Sequence, residues 1–330
     1  MDNIIKIDKK DKRILEDLNW DARITNSQLA KNINLSKKGV EYRIKRLERL
    51  GIIQSYYPFI NFMKLGYNYC RLFLKLQYLN ETVKKEITLF IKSNKDFNWS
   101  IWAIGSYDLV IGMWTKSLKD FKKNVNKFIL KFDKHIKNRK YSLGIQLDQF
   151  SYNFLVNENQ KKCISMSEEQ FPKKIDKIDF NILSILTSNA KISNINLAKK
   201  INLNPSTVKQ RINRLINEEI LLKTRADLNI SKIGYLHYKL LLDLRQNKDS
   251  DLKKIKNFLL KKPNLIYFVD EIGISDFDLE LLLESDYDLL ELIKELQENF
   301  SNLIKDYQYF LFTNTIKINF MPADLENQFK

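Results

Sequence analysis

Leu35-Ser36-Lys37-Lys38-Gly39-Val40-Glu41-Tyr42-Arg43-Ile44-Lys45-Arg46-Leu47-Glu48, followed closely by Gly51-Ile52-Ile53, is the stretch from which this chain can be read. Val40, Ile44 and Leu47 recur at i, i+4 and i+7, so a helix here turns one apolar face toward a core. Ser36 stands where a side-chain oxygen can accept an N–H of the first turn, and Gly51 where a left-handed residue stops a helix. The opposite face carries Lys38, Tyr42, Lys45 and Arg49, with Glu41 and Arg46 on its flanks. Taken alone, that is also what any solvated helix face looks like.

On the N-terminal side, Ile14, Leu15 and Leu18 have helical spacing and predict a first helix from about Lys9 to Asn19. Thr25-Asn26 offers a cap for a short second helix carrying Leu29, Ala30 and Ile33. Asn34 suits the left-handed turn that a tight connection demands. On the C-terminal side, Ile52-Ile53-Gln54-Ser55-Tyr56-Tyr57 favours a strand and is expected to form a wing. Three helices, a short turn between the last two, and a strand make a winged helix-turn-helix. In that motif Lys and Arg of the third helix meet phosphates and guanine edges, and Glu41 can accept from cytosine. Ser36, Lys37, Lys38, Glu41, Tyr42, Arg43, Lys45, Arg46 and Arg49 are the DNA-binding residues expected here.

An ungapped shift of 168 residues superimposes a second copy. Ile7-Asp8-Lys9 returns as Ile175-Asp176-Lys177, and Ile33-Asn34-Leu35 as Ile201-Asn202-Leu203. Val40, Arg43, Ile44, Arg46 and Leu47 return as Val208, Arg211, Ile212, Arg214 and Leu215. The chain is therefore a duplication. The second copy keeps the inward face of its third helix, but Ser206, Gln210, Asn213 and Asn217 replace the outward charged and aromatic residues, with Thr207, Lys209 and Arg214 alongside. Pro205 suits the first helical position after Asn204. Ser206, Thr207, Lys209, Gln210, Arg211, Asn213 and Arg214 are the second set of DNA-binding candidates. Amides and hydroxyls read bases but add little salt-sensitive affinity, so the two helices are expected to read different half-sites.

Beyond each winged helix the pattern is strand, helix, two strands, helix, strand, the βαββαβ order of a ferredoxin-like domain. The fold class is α+β, with this arrangement duplicated in tandem. Expected segments are a winged helix-turn-helix at 1–62, an α/β domain at 63–156, a polar linker at 157–174 that includes Glu168-Glu169-Gln170 and Pro172, a second winged helix-turn-helix at 175–230 and a second α/β domain at 231–320.

The third-helix signature, together with the hairpin Gly105-Ser106-Tyr107-Asp108-Leu109-Val110, resembles the Lrp/AsnC family, the feast/famine transcription regulators of bacteria and archaea. The resemblance covers nearly the whole chain and implies a DNA-binding regulator whose effector domain dimerises and can bind an amino acid near that hairpin. Gly105, Tyr107 and Asp108 are then effector candidates, a purely structural turn being the other reading. Members usually carry one copy per chain, so the fused copies are expected to form a pseudo-dimer, and the chain to form homo-oligomers. The second hairpin, Gly273-Ile274-Ser275-Asp276-Phe277-Asp278-Leu279, reads as two residues longer with Phe in place of Tyr, which puts a ligand site there in doubt.

The net charge of +16 favours double-stranded DNA as partner, and the whole excess lies in residues 1–165, where 32 basic residues face 16 acidic ones. No apolar run approaches the roughly 20 residues that span a bilayer, and the N-terminus lacks the apolar core of a secretion signal. Cys70 and Cys163 suggest reduced thiols and a cytoplasmic protein, although a disulfide is the alternative. Scarce Gly with abundant Ile, Asn and Lys fits an AT-rich prokaryotic genome. No Cys/His cluster has metal spacing, and no phosphate loop or nucleophile elbow is present, so no metal, cofactor or catalytic residue is expected.

Two rival functions stand beside the regulator. Sirohaem decarboxylases are similar to this family and can be fused pairs; their chemistry is assigned to His and Arg, and here the histidines are His135 and His237. A protein–protein module that has lost DNA binding is the other rival, yet residues 173–234 still hold 12 Lys and Arg against five Asp and Glu.

Overall fold

The computed structural model describes residues 4–156, 161–167, 171–245, 248–318 and 321–329. The first copy runs α1 (Lys9–Trp20), α2 (Asn26–Asn32), α3 (Lys37–Arg49), β1 (Ile53–Ile60), β2 (Asn68–Leu76), α4 (Glu81–Ser93), β3 (Trp99–Gly105), β4 (Leu109–Thr115), α5 (Leu118–Phe132), β5 (Ile136–Phe150) and β6 (Cys163–Ser167). The second runs α6 (Lys177–Ser188), α7 (Asn194–Ile201), α8 (Pro205–Asn217), β7 (Leu221–Leu228), β8 (Leu236–Leu244), α9 (Asp249–Leu260), β9 (Leu265–Ile272), β10 (Phe277–Leu283), α10 (Asp286–Phe300), β11 (Ile304–Ile318) and α11 (Ala323–Gln328). The third helices, and β1 and β7, keep the 168-residue offset of the sequence at both ends. By contact the chain forms two compact units, and these pair like segments with like.

The first unit holds both helix-turn-helix segments, with Phe150–Ile164 and residues up to Tyr235. Each first helix starts at a reciprocal cap: Asp8 with Asp11, and Asp176 with Asp179. Asn34 and Asn202 take left-handed φ values of 51° and 53°, which turn the second helix into the third. Ser36 Oγ accepts the Gly39 N–H at 3.1 Å and starts α3. Val40, Ile44 and Leu47 are buried, as are Val208, Ile212 and Leu215, so the apolar faces read from the sequence are core faces.

The expected wing strand is present, and it finds its partner in the other copy. β1 pairs antiparallel with β7, from Ile53 opposite Leu228 to Ile60 opposite Leu221, and the two strands form a sheet of their own. A lone strand would leave its backbone N–H and C=O groups without partners, and each copy supplies one strand to this small sheet. The other copy completes the ladder. Around it, Ala22 donates its N–H to the Thr224 carbonyl at 2.7 Å, and buried Arg225 donates from Nε to the Asn19 carbonyl at 2.7 Å.

In the second unit, each copy arranges its strands in ferredoxin-like order, β5-β2-β4-β3 and β11-β8-β10-β9. β3 then pairs with β11 and β5 with β9, so the nine-stranded sheet closes on itself, with β6 added beside β5. β5 and β11 are 15 residues long because each serves two neighbours, its own copy's strand first and the other copy's next. The copies thus form an intramolecular pseudo-dimer. The segment expected to be a plain linker contains β6; Glu168, Glu169 and Gln170 lie outside the described residues.

The two hairpins also differ from expectation, because they are equal in length. Asp108 Oδ2 accepts the Leu76 N–H at 2.8 Å, and Asp276 Oδ2 the Leu244 N–H at 2.6 Å. Their own N–H groups donate to the carbonyls of Leu74 at 2.9 Å and Leu242 at 3.0 Å. That anchoring Asp sets the register, so Ser275, not Phe277, holds the place of Tyr107. Gly105 and Gly273 have φ of 134° and 125° and lie at the two seams. A Cβ on Gly273 would sit 2.3 Å from the Tyr141 carbonyl oxygen, and one on Gly105 2.9 Å from the Phe310 backbone. Gly273→Ala should therefore lower the urea midpoint, with backbone strain alone costing about 1–3 kcal/mol. An unchanged midpoint would mean the seam relaxes freely.

Outside the closed sheet, Cys70, Leu72, Leu74, Ile87, Ile91, Phe97 and Phe128 form a core with the helices. Inside it, Phe73, Ile101, Tyr107, Val110, Leu241 and Phe310 pack across the two copies. Beside them lies an ionic network whose centre, Arg71, Glu271, Asp278 and Lys239, is fully buried. The Arg71 guanidinium pairs with Glu271 and Asp278 and donates from Nε to Ser142 Oγ at 3.0 Å. Lys239 Nζ lies 2.7 Å from Asp278 and 3.0 Å from Glu280, and His237 Nε2 is 3.1 Å from Glu280. Burial alone would push the Glu280 carboxyl up, but the Lys239 charge and the His237 hydrogen bond hold it at about 2.

Candidate nucleic-acid interface

Burial of Val40, Ile44 and Leu47 decides which way α3 faces, and Ser36, Lys37, Lys38, Glu41, Tyr42, Lys45 and Arg49 are left exposed on the other side. Tyr42 is 65% exposed, so its ring and hydroxyl both stand in solvent on this face. Glu41 Oε1 lies 2.8 Å from Lys45 Nζ, one helical turn on, so reading a cytosine with Glu41 means exchanging that solvent-exposed pair. On α8, Ser206, Lys209, Gln210 and Asn213 are exposed and Thr207 is half-buried.

Four of the sequence candidates are engaged differently. Arg43 Nη1 lies 2.8 Å from both Asp8 and Asp11, and Arg46 pairs with Asp11, whose side chain is 1% exposed. In the second copy Arg211 pairs with Asp176 and Asp179, and Arg214 with Asp179. These arginines recur in both copies because each third helix is bolted to a buried carboxylate of its first helix. The pairs fix the angle at which each third helix presents its exposed face. Against burial, which raises it, the Asp11 N–H and the Arg43 guanidinium hold the Asp8 carboxyl below its ordinary value. Asp11 and Asp179 escaped the sequence reading, although their shared offset from the paired arginines was a usable signal.

Other residues that matter were not readable from a single copy. Arg23 donates to the Ala190 carbonyl at 3.2 Å and to Asn194 Oδ1 at 2.7 Å, joining the start of one helix-turn-helix to the other. With the β1–β7 ribbon, this carries α3 and α8 on one compact unit.

The effector candidates are all occupied within the second unit. Tyr107 is buried against Phe73 and Phe310. Asp108 holds Lys75 Nζ at 3.0 Å as well as the Leu76 N–H, and Gly105 serves the seam. His135 is buried at the end of α5, and His237 packs on Phe312 beside Glu280. Among the described residues no group of His, Cys, Asp and Glu is arranged to hold a metal, and no helix is long and apolar enough to cross a membrane.

A model of winged helix-turn-helix DNA-binding domains matches residues 7–54 and again 175–221. An uncharacterized HTH-type transcriptional regulator of Pyrococcus horikoshii is 30% identical over 130 residues, 38% of this chain and 79% of that protein. The leucine-responsive regulatory protein of Haemophilus influenzae is 41% identical over 68 residues, 21% of this chain and 41% of that protein. The crystal structure of the sirohaem decarboxylase NirDL superimposes with a TM-score of 0.62 over 97% of each chain, at 11% identity, a likeness of fold alone.

Proposed function

The chain belongs to the Lrp/AsnC family of HTH-type transcription regulators, and from that premise we propose that it binds double-stranded DNA sequence-specifically through α3 and α8. The observation that carries this reading is the pair of third helices with exposed polar faces, held on one compact unit by the β1–β7 ribbon. Lys38, Lys45, Arg49 and Lys209 supply phosphate contacts; Tyr42, Gln210 and Asn213 supply base contacts. Fluorescence anisotropy on its own upstream DNA and on unrelated DNA tests the proposal. A preference of about 10³-fold or more, with affinity falling steeply as salt rises, is expected. Equal, weak binding to both duplexes would overturn sequence reading.

The faces of α3 and α8 differ in chemistry, so the operator need not be palindromic. Hydroxyl-radical footprints should show unequal protection of two dissimilar half-sites. Equal protection of identical half-sites would overturn the reading that the two helices recognise different sequences.

The finer part of the proposal is an amino-acid effector near Gly105, Tyr107 and Asp108. Such a ligand would have to open the Lys75–Asp108 pair, which calorimetric titration with the common amino acids would detect. A second reading, a tetrapyrrole decarboxylase, is favoured by the whole-chain fold likeness to NirDL. It asks His237 or His135 to reach a substrate, whereas His237 is turned to Glu280 and His135 is buried. Tetrapyrrole absorbance on the purified protein would favour that reading over a regulator.

A further inference from the structure

Helices α5 and α10 hold equivalent places in the two copies and carry opposite charge. From Lys116 to Lys140 ten Lys and Arg stand against two Asp, whereas from Glu284 to Glu298 six Asp and Glu stand against one Lys. Each helix also leaves apolar side chains in solvent within its charged face. Leu118 is 59% and Leu130 88% exposed on α5, and Tyr287 is 65% and Leu290 54% exposed on α10. Lys119, Lys122, Lys123, Asn126, Lys127 and Leu130 line a shallow depression on α5. A merely solvated face explains the lysines, and a phosphate-binding face would too. Neither explains the acidic counterpart with its own exposed apolar pair.

We propose that α5 of one chain docks on α10 of a second copy of this chain. Opposite charge steers the encounter and sets the register, and the exposed leucines and tyrosine supply an apolar centre that charge alone lacks. The two surfaces differ, so the contact is heterologous. Every chain offers one of each, and assembly continues until a ring closes. DNA is the other polyanion that α5 would attract, but it would leave α10 and both apolar pairs unused. The inference does not depend on which DNA the third helices read.

Sedimentation of the full chain with two charge-reversed variants tests it. Wild type should sediment as more than one chain at about 0.05 M salt and dissociate toward 0.5 M, as screening shortens the range of the charges. K122E/K123E and E291K/E298K should each sediment as single chains. Mixed one to one, they should reassemble, because the unaltered α10 of the first meets the unaltered α5 of the second. That recovery also shows both variants to be folded. A wild type that stays single at low salt, a variant that assembles like wild type, or a mixture that fails to recover would each overturn the proposal. Loss of DNA affinity in K122E/K123E with assembly intact would overturn it in favour of a DNA contact.

Discussion

Arg71→Met should cost the folded chain about 3–5 kcal/mol, the range for removing one partner of a buried ion pair. Arg71 comes from the first copy, while Glu271 and Asp278 come from the second, and all three side chains are 0% exposed. Met fills much of the volume but leaves Glu271 without its cation and Asp278 with Lys239, which it shares with Glu280. The cost arises from stranded charge rather than from a cavity. Chemical denaturation of the full chain measures it, the expected result being a marked fall in midpoint. R71M/E271Q, which removes one stranded charge, should recover part of the loss, giving a coupling of about 0.5–3 kcal/mol in a double-mutant cycle. An unchanged midpoint in R71M would mean that the two copies are not joined through this network.

The second large effect concerns DNA. Replacing Lys38, Lys45 and Arg49 together with Ala should flatten the slope of log affinity against log salt by about 2.7, roughly 0.9 for each phosphate left without its cation. At about 0.1 M salt that amounts to a weakening on the order of 10²- to 10³-fold, similar for specific and unrelated duplexes. These three residues are exposed, so the urea midpoint should stay where it is. Arg46→Ala should behave in the opposite way. Its partner Asp11 is buried, so stability falls while the salt slope changes little. If the triple variant kept the wild-type slope, α3 would not be the helix that tracks the phosphates. A larger loss of slope from Lys209→Ala would move that role to α8.

The triple variant and Arg46→Ala separate two meanings of a positive charge on the third helix. Both kinds look alike in the sequence. Lys38 has become Ser206 and Lys45 has become Asn213 in the second copy, as suits a face free to vary with its target. Arg43 and Arg46 persist as Arg211 and Arg214, because the buried carboxylates of Asp11 and Asp179 hold them.

Local order and its period were determined by the sequence alone. Val40, Ile44 and Leu47 lie on one face because side chains four and three apart in a helix share a side, and Ser36, Asn34 and Gly51 mark its ends through their own backbone chemistry. The 168-residue offset made the duplication plain, and the βαββαβ order followed from strand and helix periods within each copy. Which strand pairs with which was decided only by the tertiary structure. β1 carries no mark naming β7 as its partner, since backbone hydrogen bonds are the same for any strand, and only the geometry of two copies brings the unpaired edges together. The closed sheet follows the same rule: β5 and β11 are long enough to serve two neighbours, yet their length does not say that the second neighbour belongs to the other copy. Arg71 looks like one more strand residue until Glu271 and Asp278, some 200 positions away, are placed beside it. Burial of charge is settled by what surrounds it, and that surrounding exists only once the two copies have closed on each other.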